Sequence, residues 1–242
     1  MAFDFLNFQY YSIDYLDLFN ELNSKKILSN KNIQSEYLKL WMKNLEECDK
    51  IITNQLKKKE FILKVKLNLQ LEPEIFQLPM VYENNKVFIH FRVSAANEII
   101  SKYKMKSKFV SLDEYVRKDS RINWTPVNSN VNSYSKSKEP IVMIPFLNGQ
   151  YDFLVIDGNH RLTYKTKNNI NDIEGIFFSE KSVIDFCLFS SVFDKLYYIM
   201  HNELNHMANA TYLENEDVTQ LLQKSYLKDG KFKFPEKGII VD

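Results

Sequence analysis

"EPIVMIPFLNGQYDFLVIDGNHRLTYKTKNNINDIEGIFF", residues Glu139–Phe178, carries the clearest structural pattern in this chain. The apolar runs IVMIPFL and DFLVID flank the turn sequence NGQ, which predicts two strands joined by a hairpin turn. The period becomes helical from about 159 to 168, and IEGIFF at 173–178 predicts another strand. We therefore expect a small α/β unit here, spanning about 85–180.

Helices are predicted on both sides of this unit. Apolar residues recur at helical spacing at 12–23 (behind an N-cap at Ser12), 33–56, 94–104, 181–206 and 216–226. The predicted fold is α+β, a small mixed-sheet core with N- and C-terminal helices packed around it. Its expected divisions are a helical region at 1–84 with one or two strands, the core at 85–180, and a helical region with a polar tail at 181–242.

Two stretches before the core alternate between apolar and polar residues. FILKVKLNLQ at 61–70 and KVFIHFRV at 86–93 each predict a half-buried strand, and the second pattern places His90 on the solvent side. The connection YENNK, 82–86, is typical of a turn. The sequence thus predicts a hairpin with a long loop over 61–93.

Composition limits the functional classes. The chain has 242 residues, of which 45% are hydrophobic and 26% charged, as in folded soluble proteins. Its net charge is +1, from 32 basic and 31 acidic side chains. This balance disfavours dedicated DNA binding but leaves a local basic patch open. The nearest basic run, Lys57–Lys59, is typical of the polar end of a helix.

The remaining compositional signals point to a cytosolic protein. Cys48 and Cys187 lie among apolar residues at helical spacing, which predicts reduced core thiols. The apolar start lacks the basic region of a signal peptide, and no apolar run is long enough for a membrane helix. In HNELNH, 201–206, the histidines are five residues apart rather than four, so helix-surface residues are favoured over a zinc site.

The sequence DGNHR, Asp157–Arg161, stands where the second predicted strand ends and the helix begins. Amides in the first turn of a helix lack intrahelical partners and attract anions. Gly158 allows close approach to the backbone, and Arg161 supplies a fork of donors for phosphate oxygens. His160 can donate to a phosphate or move a proton, and Asp157 can hold Mg²⁺ or act as a base.

A structural interpretation of the same residues stays open. Asp157 and Gly158 would form a plain turn, Asn159 would cap the helix, and His160 and Arg161 would lie on the surface. The segment 119–139, rich in Ser and Asn and without a period, is a candidate mobile or ligand-covering loop.

The segment Glu139–Phe178 resembles the second box of the ParB/sulfiredoxin-like superfamily, with Pro140, Ile141, Gly158 and Arg161 at its anchor positions. FVSLDEYV and RINWTPVNSN stand where the first box would lie. Asn159 replaces the reactive cysteine of sulfiredoxins and, with His160, departs from the Gly-Glu-Arg-Arg of chromosome-partitioning proteins. No helix-turn-helix is recognisable after residue 180. The nearest motif is the Asp-Gly-His-His-Arg of the free serine kinase branch.

This resemblance implies a nucleotide site. Its phosphate-binding residues would be Gly158, Asn159, His160, Arg161, Lys136 and Lys138, with ATP, ADP or CTP as the nucleotide. Asp157 and His160 would be catalytic, and Asp157 would also hold Mg²⁺. The implied activity is Mg²⁺-dependent nucleotide hydrolysis or phosphoryl transfer to a small-molecule acceptor.

Other functions remain open at this point. One is a non-enzymatic switch, in which the nucleotide gates binding of a protein or DNA partner. Another is a ParB-like nuclease of plasmid or phage origin, which the near-neutral charge disfavours. No membrane association is expected, and the aromatic-rich N-terminal helices leave a homodimer open.

Overall fold

A computed structural model describes residues 2–71, 74–82, 85–128 and 130–234. It confirms the α+β class. The chain divides into two compact units. The first joins the residues up to Ser94 with Phe189–Phe234, and the second runs from Ala95 to Leu188.

The elements are as follows. The helices are α1 (Tyr15–Ser24), α2 (Lys31–Leu56), α3 (Lys59–Leu71), α4 (Val93–Tyr103), α5 (Asn159–Lys167), α6 (Glu180–Asp185), α7 (Val192–Leu213), α8 (Val218–Lys224) and α9 (Tyr226–Asp229). The strands are β1 (Phe3–Asp4), β2 (Gln9–Tyr10), β3 (Ile75–Tyr82), β4 (Asn85–Arg92), β5 (Lys108–Ser111), β6 (Ile122–Asn123), β7 (Ile141–Pro145), β8 (Phe153–Asp157) and β9 (Asp172–Phe177). A π-helix covers Asp113–Lys118, and a 3-10 helix covers Asn132–Lys136.

Polar caps explain where the helices of the first unit begin. Asp14 accepts hydrogen bonds from the amides of Leu16 and Asp17, so Asp14 caps α1 and the predicted cap at Ser12 was wrong. Asn30 caps α2 in the same way. Since each cap supplies acceptors for amides that lack helical partners, the boundaries follow from local side-chain chemistry.

The predicted strand at 61–70 is wrong, because this stretch lies in α3. Leu63 and Leu67, which the alternating pattern placed inside, are 58% and 55% exposed. Among residues 61–67, whose burial is described, Phe61, Ile62 and Val65 are partly buried, at helical spacing. Leu, Lys and Gln favour a helix, and this preference prevails here because no strand among the described residues pairs with the segment.

The hairpin of the first unit pairs β3 with β4, from Ile75 opposite Arg92 to Tyr82 opposite Asn85. The strand predicted at 86–93 is therefore present, but it pairs with β3 instead of the segment 61–70. Residues 83 and 84 of the predicted turn lie outside the described residues. His90 is fully buried rather than solvent-facing, because the ring of Phe5 covers it at 4.6 Å between centroids.

The second unit contains a mixed five-stranded sheet of order β5-β9-β7-β8-β6. β7 and β8 form the predicted antiparallel hairpin, and β9 lies parallel to β7 on its other side. Ile141–Ile144 and Phe153–Ile156 are buried on both faces of the sheet, which accounts for their unbroken apolar runs. The strands β7, β8 and β9, and the helix α5 between β8 and β9, match the predictions, whereas β5 and β6 were not predicted.

Two other predictions are corrected. Cys187 is exposed and Cys48 half-buried, so neither thiol is fully buried in the core, and both are free. His206 is buried in α7, where it stacks on Phe234 at 5.3 Å, rather than on the helix surface. Residues 235–242 of the predicted polar tail lie outside the described residues. Across the described ranges, no helix has the length and apolar character to cross a membrane.

Candidate functional site

The candidate site lies where β8 ends and α5 begins. Gly158 stands between them with φ of +92°, a left-handed conformation that favours glycine. A Cβ at this position would meet Cγ2 of Ile141 at 2.5 Å, so glycine is also required by the close packing on β7. The turn therefore depends on Gly158 for two separate reasons.

In the described part of the chain, no side chain caps the first turn of α5. The amide of Leu162 donates to the Gly158 carbonyl at 2.9 Å, and the amides of Asn159, His160 and Arg161 precede this first helical bond. By contrast, side-chain oxygens cap several other helices, at Asp14, Asn30, Ser179, Ser191, Asp217 and Ser225. An uncapped first turn presents donors and a partial positive charge to an anion.

Arg161 holds the turn together. Its Nη2 donates to the Pro140 carbonyl at 2.9 Å and to Oδ2 of Asp157 at 3.1 Å, and its Nη1 donates to Oε2 of Glu139 at 3.0 Å. Its Nε is buried without a hydrogen-bond partner in the described part of the chain. The Arg161 side chain is 11% exposed, whereas that of Glu139 is 78% exposed. Glu139 is thus the one carboxylate in this group that solvent or an incoming anion can readily replace.

Asn159 is not the helix cap that the structural interpretation suggested. It is the first residue of α5, and its Oδ1 accepts a hydrogen bond from the Thr125 amide at 2.8 Å. One turn later, Oγ1 of Thr163 accepts from the Val127 amide at 3.1 Å. The predicted ligand-covering segment is therefore tied to the helix that begins the site.

His160 and the two predicted lysines are all exposed to solvent. The ring of His160 is exposed and stacks on Tyr134 of the 3-10 helix, with centroids 5.2 Å apart and planes inclined by 25°. Lys136 ends the same 3-10 helix, and Lys138 lies between it and β7; both are exposed. The structure thus brings the 3-10 helix with Lys136 onto α5, whereas no described contact joins Lys138 to the turn.

Asp157 could bind a cation only together with other ligands, such as phosphate oxygens and water. Oδ2 of Asp157 accepts a hydrogen bond from Arg161, so Oδ1 is the oxygen that could reach a metal ion. Among the residues that the structure describes, no group of three or more His, Cys, Asp or Glu side chains is arranged to hold a metal. Mg²⁺ is commonly bound by one or two carboxylates with phosphate oxygens and water, and a single carboxylate fits that mode.

Two buried polar clusters in the first unit were not predicted. Nδ1 of His90 lies 3.1 Å from Oδ1 of Asp194, and its Nε2 lies 3.0 Å from Oε1 of Gln77. Glu203 in α7 accepts hydrogen bonds from the hydroxyls of Tyr37 and Ser225. Hydrogen-bonded residues in these clusters are separated in sequence by up to 188 positions, as for Tyr37 and Ser225, and no local pattern signals such pairs.

Comparison of the chain with models of protein families, with curated proteins and with solved structures finds no match. A function is accordingly proposed from the geometry around Gly158 and Arg161. The ParB/sulfiredoxin-like resemblance stays a prediction based on the residues of Glu139–Phe178.

Proposed function

We propose that the second unit binds a nucleotide through its phosphates at the start of α5. With Mg²⁺, it would hydrolyse that nucleotide or transfer a phosphoryl group to a small-molecule acceptor. The observation that carries the proposal is the uncapped first turn behind Gly158, beside a guanidinium that already binds carboxylate oxygens. Carboxylate and phosphate oxygens are recognised by the same planar fork of donors.

Each residue of the turn has a role in this proposal. The amides of Asn159, His160 and Arg161 would bind phosphate oxygens. Arg161 would exchange Glu139 for a phosphate while keeping the Pro140 carbonyl and Asp157. Lys136 and Lys138, both exposed, would add positive charge from the open side.

Catalysis would consist of positioning and charge neutralisation. Asp157 would either hold Mg²⁺ or accept a proton from the attacking hydroxyl or water, and His160 would move a proton at the open edge of the site. Mg²⁺, when bound, would neutralise phosphate charge. Tyr134 supports the His160 ring by stacking, which restricts the positions its nitrogens can take.

The test is a thermal-shift screen of the full chain with ATP, ADP, CTP and GTP, each with and without Mg²⁺. Binding to the native state stabilises it by about 2.7 kcal/mol at a ligand concentration about 100 times Kd. Arg161→Ala removes the proposed phosphate ligand. Arg121→Ala is a matched control, since Arg121 also pairs with an aspartate of this unit. Its Nη2 lies 2.6 Å from Oδ2 of Asp152.

We expect one nucleotide to raise the melting temperature of the wild type and of Arg121→Ala, and to have no effect on Arg161→Ala. If Arg161→Ala does not fold, Arg161→Lys keeps the charge without the fork, and we expect a reduced shift. The absence of any shift, or an equal shift in the Arg161 variant, would contradict the proposal. Release of inorganic phosphate with and without candidate acceptors then separates hydrolysis from phosphoryl transfer.

A second function is favoured by the contacts of Asn159 and Thr163 with the 124–128 segment. These bonds connect the proposed phosphate site to a surface segment, as a non-enzymatic nucleotide-gated switch would require. The switch predicts slower amide exchange over 124–136 with nucleotide bound and no phosphate release. Turnover in the purified chain would exclude it in favour of the enzyme.

A further inference from the structure

A basic run in the second unit was not identified from the sequence. SKYKMKSKF, 101–109, connects α4 to β5 and places lysine at every second position, at Lys102, Lys104, Lys106 and Lys108. All four lysines are exposed. No acidic residue occurs between Glu98 and Asp113, so this part of the chain is strongly cationic although the whole chain has a net charge of +1.

Exposed aromatic rings accompany these lysines. Phe109 is 72% exposed, Tyr103 is 56% exposed and Phe186 is 40% exposed. The rings of Tyr103 and Phe186 lie 5.3 Å apart, which makes a small aromatic platform. Large exposed apolar rings beside clustered charge are typical of an interaction surface rather than of a solvated loop.

The backbone explains why so many of these side chains face solvent. Lys104 has φ of +49°, and its left-handed conformation turns the chain after α4. In the described sheet β5 is an edge strand, paired only with β9. Lys108 and Phe109 on this edge are therefore open to a partner.

The nearby carboxylates do not cancel the charge of the four lysines. Glu174, opposite Phe109 on β9, accepts a hydrogen bond from Oγ of Ser107 at 2.6 Å. Asp185 pairs with Lys181, and Glu98 lies one turn before Lys102 on α4. The four lysines thus outnumber the two carboxylates, Glu98 and Glu174, that have no described ion-pair partner.

We propose that the surface formed by the four lysines with Tyr103, Phe109 and Phe186, named here the lysine–aromatic surface, binds a single-stranded nucleic acid. Lysines contact backbone phosphates, and exposed rings stack on unpaired bases. Paired bases would not offer their faces to these rings. The proposal is independent of nucleotide binding at Gly158.

The experiment is a fluorescence-anisotropy titration of a labelled oligothymidylate with the full chain at several salt concentrations. Four phosphate contacts predict a slope of log K against log salt of about −3, since each contact on a single strand contributes about −0.7. Lys104→Ala/Lys106→Ala should reduce the slope by about 1.4. Phe109→Ala, at an exposed position, should weaken binding roughly tenfold with the slope unchanged.

Lys57→Ala/Lys58→Ala is the matched control, because it removes the same charge from exposed positions in the first unit. We expect this control to bind like the wild type. No binding at low salt, or an equal loss in both double variants, would overturn the proposal, as would displacement of the oligonucleotide by anionic lipid vesicles. A parallel titration with oligouridylate identifies the strand as RNA if it binds more tightly, and as DNA if it binds less tightly.

Discussion

Nη2 of Arg161 lies 3.1 Å from Oδ2 of Asp157, across the left-handed turn at Gly158. The same nitrogen donates to the Pro140 carbonyl, just before β7. One guanidinium thus joins the end of β8, the start of α5 and the approach to β7. Arg161 has a structural role whether or not it binds phosphate, so useful variants are those that separate the two roles.

Glu139→Gln separates them most directly. The Glu139 side chain is 78% exposed, so its ion pair with Arg161 should contribute at most about 1 kcal/mol. Removing the charge should leave the free energy of unfolding nearly unchanged and tighten nucleotide binding by up to about fivefold. Calorimetric titration measures the affinity. Glu114→Gln, at an exposed glutamate of the same unit, is the control, and unchanged or weaker binding in Glu139→Gln would contradict displacement of Glu139 by phosphate.

Gly158→Ala tests the packing of the turn. Alanine in the left-handed conformation should lower the free energy of unfolding by about 1 to 2 kcal/mol. The clash of the added Cβ with Ile141 should lower it by a further ~1 to 3 kcal/mol. Gly149→Ala shares the positive φ, with no atom within 4 Å of the added Cβ, and should lose only the backbone contribution. Urea unfolding gives both values. Equal losses in the two variants would show that the contact with Ile141 has no energetic effect.

Thr163→Val tests the link between α5 and the 124–128 segment. The side chain of Thr163 is buried, and valine keeps its shape but leaves the Val127 amide without its acceptor. Loss of about 1 kcal/mol of hydrogen bonding should speed amide exchange at Val127 by about fivefold. Exchange is measured by NMR or mass spectrometry. Thr163→Ser keeps the hydroxyl and should exchange like the wild type; if the valine variant does so too, the link has no stabilising effect.

Glu203 provides a pH-dependent prediction. Burial raises the pKa of Glu203 above its ordinary value of 4.5, despite hydrogen bonds from Tyr37, Tyr226 and Ser225. A raised carboxyl pKa stabilises the fold below the unfolded-state value, and this stabilisation is lost as pH rises through the folded-state value. The free energy of unfolding, wild type minus Glu203→Gln, should therefore fall as pH rises above the ordinary glutamate pKa of 4.5, by at most about 1.4 kcal/mol per pH unit. Denaturant titrations at several pH values measure this difference, and a constant difference would contradict the raised pKa.

The strands and helix around Gly158 were predictable from sequence, because their signals are local. Two signals each involve only a few neighbouring residues. They are the turn sequence between IVMIPFL and DFLVID and the change from strand to helix periodicity after Gly158. The grouping of Asp157 with Arg161 also follows from local structure, since they are four residues apart on either side of the turn at Gly158. The contact of Arg161 with Glu139 was not predicted, because it joins residues 22 positions apart.

Local patterns failed where a distant segment controls burial. FILKVKLNLQ alternates like a strand, yet it forms α3, since a strand requires a pairing partner and this segment has none described. His90 alternates outward on β4, yet it is buried because Phe5 covers it and Asp194 pairs with it from 104 positions away. Backbone preference depends on sequence neighbours, whereas the burial of a polar side chain depends on groups that folding brings to it from elsewhere in the chain.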